Sequence, residues 1–98
     1  MSTVNLGFQV LPKMNPGESS YDAVDRAIDV VAQSGVSYVV GPMETVMEGE
    51  LNHLLQIVKQ AQDACIAAGA HEVMTHVKIH YRPDGGVTLD EKISKYRG

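Results

Sequence analysis

Residues 36–50 read Val36-Ser-Tyr-Val-Val-Gly-Pro-Met-Glu-Thr-Val-Met-Glu-Gly-Glu50. Val36 to Val40 is a β-branched and aromatic run, Gly41-Pro42-Met43-Glu44 is a tight connection, and Thr45 to Glu48 resumes an extended pattern. The stretch is therefore expected to form a β-hairpin. Both sets of alternate residues in its first strand, Val36/Tyr38/Val40 and Ser37/Val39, are uncharged. That composition predicts a strand covered on both sides.

On either side of this hairpin the period changes from two to 3.6. Before it, Ser19 or Ser20 caps a helix with Asp22 in its first turn, a stripe of Val24, Ala27, Ile28, Val31 and Ala32, and a stop at Gly35. After it, Glu50 to Ala68 carries Leu51, Leu54, Leu55, Val58, Ala61, Ala64 or Cys65, and Ala68 at helical spacing, ended by Gly69. The outermost segments return to alternation. Val4, Leu6, Phe8 and Val10 share one face of a first strand that Pro12 is expected to end. Val73, Thr75, Val77, Ile79 and Tyr81 share one face of a fourth strand. Asp84-Gly85-Gly86 makes a turn, and the capping-box pattern from Thr88 to Glu91 predicts a short C-terminal helix through Tyr96.

The order β-α-β-β-α-β predicts a single α+β domain over residues 1–98, of the ferredoxin-like kind. Its four-stranded antiparallel sheet has both helices on one face. The second face then has no cover within the chain, although apolar side chains point both ways. Two subunits are expected to meet through their sheets.

Composition excludes more than it assigns. The 98 residues are 44% hydrophobic and 20% charged, with 8 Lys and Arg against 12 Asp and Glu and a net charge of -4. This is globular composition without the basic cluster that phosphate-backbone binding requires, so no nucleic-acid partner is expected. No apolar run approaches the roughly 20 residues of a membrane span, and the N-terminal residues lack a signal-peptide pattern. One cysteine, Cys65, excludes an intrachain disulfide. A cytoplasmic location follows as the expectation.

Residues 41–50 also concentrate chemistry: two glycines, a proline, a hydroxyl, carboxylates and two methionines. Turn formation and helix-start electrostatics account for much of this composition. The same residues suit a small polar-aromatic or cationic ligand, with Thr45 and Glu48 hydrogen-bonding and methionine supplying a polarizable wall.

At this point whole segments become recognisable. Gln9 with Leu11-Pro12, Tyr21-Asp-Ala-Val-Asp-Arg-Ala-Ile28, Ser34-Gly35-Val-Ser-Tyr-Val, residues 41–50 and Val77-Lys-Ile-His-Tyr-Arg82 together resemble the thiamine-binding family. Its most specific element is the Thr-x-x-Glu-Gly sequence. The resemblance implies a ferredoxin-like fold, sheet-to-sheet dimers that pair into tetramers, and binding of thiamine or its hydroxymethylpyrimidine half without an established reaction. On the matching positions it implies Thr45 and Glu48 as polar contacts, Gln9 as a contributor from the first strand, and Tyr38 and Met43 as pocket lining.

The remaining reactive residues have plainer readings. His76 and His80 lie four apart on a strand, a span of about 13 Å that one metal ion does not bridge. His53 and His71 read as surface residues, and Cys65 reads as a small buried side chain. No phosphate loop, dinucleotide fingerprint, nucleophile elbow or zinc helix is present, so neither a catalytic residue nor a cofactor is assigned. The sequence reading is a homo-oligomer that binds thiamine or a related pyrimidine. Its rivals are a ligand-free interaction module and a small enzyme using Glu48 as acid or base.

Overall fold

The structure is a computed structural model that describes residues 3–83. Its elements run β1 (Val4–Lys13), α1 (Ser20–Gln33), β2 (Ser37–Val40), β3 (Thr45–Gly49), α2 (Leu51–Ala67) and β4 (Glu72–His80). The four strands form one sheet in the order β2-β3-β1-β4, and every neighbouring pair is antiparallel. This is the ferredoxin-like α+β arrangement expected from the alternation of periods. The C-terminal helix expected over residues 88–96, and the turn before it, lie outside the described residues.

One face of the sheet builds the core. Val4, Leu6, Phe8 and Val10 of β1 and Met47 of β3 are buried with Ala23, Ala27 and Val31 of α1 and Leu54, Ile57, Val58, Ala61 and Cys65 of α2. Leu6, Met47 and Leu54 have no exposed surface, and each such side chain stabilises the fold by about 1.5–3 kcal/mol. The buried stripes are rotated slightly from the expected ones. Ala23 rather than Ala32 continues the α1 line, and Ile57 is buried while Leu55 is 41% exposed. Small side chains at 23, 27, 61 and 65 let the two helices pack against each other over the sheet.

The helix ends follow the sequence. Ser19 caps α1, its hydroxyl accepting from Tyr21 N–H at 3.1 Å, and Glu50 caps α2, its carboxylate accepting from His53 N–H at 2.9 Å. Beyond α2, Gly69 N–H donates to the Ile66 carbonyl and Ala70 N–H to that of Cys65. This Schellman closure turns on Gly69, whose φ is 111°.

Two local expectations are corrected. β1 does not stop at Pro12 but continues to Lys13, with Pro12 opposite Val73 of β4. Beyond Phe8, β1 has no β3 neighbour, so a missing N–H on that side leaves no ladder bond unmade. The second correction concerns β2. It is not covered on both sides: it is the outermost strand beside β3, and all four of its residues are exposed. Its uncharged faces reflect an edge strand that the helices, centred over the inner strands, touch only at its margin.

Candidate functional site

The same shortness of β3 opens a cavity. β3 begins at Thr45, opposite Phe8, so residues 9–11 of β1 face the β2–β3 connection across a gap that no strand fills. The N-terminal half of α1 roofs this gap. The result is a cavity of about 320 Å³ on the helix side of the sheet. Phe8, Val10, Val24, Ala27 and Ile28 give it an apolar interior. Polar groups enter from two directions, Thr45 from β3 and Ser20 with Tyr21 from the start of α1, while Gln9 borders the cavity at the free edge of β1 with its side chain on the opposite face of the sheet. Gly41 to Glu44 form the outer wall, closed by a 2.9 Å hydrogen bond from Gly41 N–H to the Glu44 carbonyl.

Of the five residues singled out in the sequence, the structure brings three together. Gln9, Met43 and Thr45 all border the cavity, Gln9 with its side chain directed to the other face of the sheet beside His76. Thr45 is only 7% exposed, whereas Met43 is 74% exposed at the rim. Tyr38 sits on the same side of the sheet, paired with Met47 in register and outside the cavity lining. Glu48 faces the other way. It is opposite Asn5 of β1 and Ser37 of β2, and three positions along a strand of period two put Thr45 and Glu48 on opposite faces. A molecule held in the cavity touches the first and not the second.

Sequence reading missed the α1 contribution. Ser20, Tyr21, Val24 and Ile28 were legible as helix start and helix stripe, but not as cavity walls. Tyr21 carries the available signal: a large aromatic in the first turn, 79% exposed, has no packing reason to be there.

The opposite, helix-free face is more polar at its centre. Asn5, Gly7 and Gln9 of β1 lie beside His80, Lys78 and His76 of β4, and Glu48 flanks Asn5 from β3. Glu44 reaches onto this face from the hairpin and pairs with Lys78, Oε1 to Nζ at 3.1 Å. Apolar groups lie toward the margins, where Leu11 and Met74 are cross-strand partners, 41% and 56% exposed, and Val39 is 40% exposed on β2. His76 and His80 both lie on this face, opposite Gln9 and Asn5. Among the described residues no three His, Cys, Asp or Glu side chains gather as a metal site. No described helix is long and apolar enough to cross a membrane.

Comparison with known proteins agrees with this architecture. Residues 6–97 match the family model described as thiamine-binding protein. A UPF0045 protein of Clostridium perfringens is 47% identical over 97 residues, covering 99% of this chain and 100% of the relative. Among solved structures, a DUF77 domain of unknown function from Bacillus cereus superposes with a TM-score of 0.93 at 56% identity, over 98% of this chain and 91% of that one. A candidate thiamine biosynthesis/salvage protein of Thermotoga maritima superposes with a TM-score of 0.85 at 33% identity, over 97% and 99% of the two chains.

Proposed function

Because the chain belongs to the thiamine-binding protein family, we propose that its helix-side cavity binds thiamine or a compound carrying the hydroxymethylpyrimidine half of thiamine. One observation supports this reading above the others. The cavity gathers Tyr21, Met43 and Thr45 around about 320 Å³, a volume within the range of small-molecule pockets.

The chemistry of the walls matches the proposed ligand. An aminopyrimidine presents an amino donor beside a ring-nitrogen acceptor, and the Thr45 and Ser20 hydroxyls each both donate and accept. The apolar faces of Phe8, Val24 and Ile28 receive the flat ring. A thiazolium cation at the mouth meets the Tyr21 ring and the Met43 thioether, and an acidic chain favours its approach. Binding proceeds without turnover, and the protein carries, sequesters or senses its ligand in the cytoplasm.

The assembly belongs to the same proposal. The helix-free face leaves Leu11, Met74 and Val39 exposed, and a second copy covers it sheet to sheet in a dimer, with pairing of dimers giving a tetramer.

Calorimetric titration with thiamine and with hydroxymethylpyrimidine tests the binding reading. Heat with at least one of them, weakened by Thr45→Val, is the expected outcome. No heat and no thermal shift with either would sink it. Incubation with the same compounds and mass spectrometry of the products tests the absence of turnover, and a new product overturns it.

A further inference from the structure

Glu44 belongs to both faces of the sheet. Its backbone forms part of the cavity wall on the helix side, while its carboxylate lies on the opposite face. Val46, Gly7 and Lys78 stand in one row across β3, β1 and β4, so the outer two are about 10 Å apart. The Glu44 carboxylate crosses this row to reach the Lys78 ammonium at 3.1 Å. It passes directly over Gly7. A Cβ at that position would meet Glu44 Oε2 at 3.0 Å and Cδ at 3.1 Å. A side chain at position 7 crowds the carboxylate, which must shift to make room for it.

We propose that Lys78 is a positioning residue for the cavity on the far side of the sheet. Through Glu44 it pins the 41–44 connection, whose Gly41–Glu44 hydrogen bond holds Met43 at the rim. The ligand side of this inference rests on the thiamine reading above; the hairpin side does not. Glu44 is a strap whose shape is set by the absence of a side chain at residue 7.

The test uses Lys78→Met and Gly7→Ala. The first removes the charge, and the second displaces the carboxylate while keeping both charged partners. Hydrogen exchange at the Gly41 amide, compared where sedimentation gives parent and variants the same assembly, is expected to quicken about two- to five-fold in each, the range of an exposed ion pair. Thiamine affinity is expected to fall by a similar factor, with no further loss in the double variant. Lys78→Arg restores both, and added salt quickens exchange in the parent protein but not in Lys78→Met.

Unchanged Gly41 exchange in both variants overturns the strap. Quickened exchange with unchanged thiamine affinity overturns the positioning role. Failure of the parent protein to bind thiamine sinks the ligand reading, and the exchange data then judge the strap by themselves.

Discussion

The Cys65 thiol of α2 lies 3.5 Å from the Ala23 carbonyl oxygen of α1, fully buried where the two helices cross the sheet. Burial raises its pKa above the ordinary value of 9.0, because the thiolate has no water around it. Native protein should therefore resist thiol-directed reagents at pH 8 and react only after denaturant is added. The linkage has a definite sign. Above pH 9 the unfolded chain loses a proton that the folded chain keeps, so stability should fall with rising pH, by at most about 1.4 kcal/mol per pH unit. Below pH 9 this contribution is constant. Denaturant unfolding of the parent and of Cys65→Ala at several pH values checks it: above pH 9 the decline should be shallower in the variant by the thiol's share. That variant should also lose about 1 kcal/mol at neutral pH for the sulfur removed from the core.

Thr45 and Glu48 should separate in a binding experiment. Thr45 lines the cavity, and Glu48 is on the other side of the sheet. Thr45→Val keeps the shape and removes the hydroxyl, and an unmade buried hydrogen bond of this kind costs about 1–3 kcal/mol. Thiamine affinity should drop about 5- to 150-fold. Glu48→Gln should leave affinity within about two-fold. Calorimetry on both variants reads this, and a large loss in Glu48→Gln would place the ligand on the wrong face.

Self-association should depend on the cross-strand pair Leu11 and Met74. Both are exposed in the single chain, so charging them costs the monomer little. In a sheet-to-sheet dimer a lysine at either position loses its water. Sedimentation should show the parent protein as a dimer or larger and Leu11→Lys shifted toward monomer at equal concentration. A parent protein that sediments as a monomer at high concentration overturns the assembly.

The fold was legible because each element announces its period. Val4, Leu6, Phe8 and Val10 alternate, Leu54, Val58 and Cys65 recur at helical spacing, and Gly35 and Gly69 stand where the helices stop. Covering and register were less legible. An uncharged strand such as Ser37–Val40 reads the same at an edge as at a centre, and only pairing places it outermost. The candidate site was half legible for a related reason. Residues 43 to 48 were read as one cluster because they are adjacent in sequence, but a strand sends alternate side chains to opposite faces. Tyr21 and Ile28 reach the cavity only because α1 folds back over β1, a contact that no local pattern records.

Gly69 gives the sharpest stability test. Its φ of 111° is a conformation that L residues rarely adopt, and the turn it makes brings Ala70 into the core, 4% exposed, and aligns β4 beside β1 through His71 N–H donating to the Lys13 carbonyl at 3.0 Å. An added Cβ would also approach Glu18 Oε2 at 3.2 Å, a contact that a flexible side chain relieves. The backbone term therefore dominates, and Gly69→Ala should destabilise by about 1–2 kcal/mol. At Gly7 the order of effects reverses. Its φ is not positive, so Gly7→Ala carries no such backbone cost, and its effect comes through the displaced Glu44 carboxylate. Chemical unfolding of the two variants side by side should give the larger loss at Gly69. Equal losses would mean that the helix stop tolerates a side chain and that α2 is held by its packing alone.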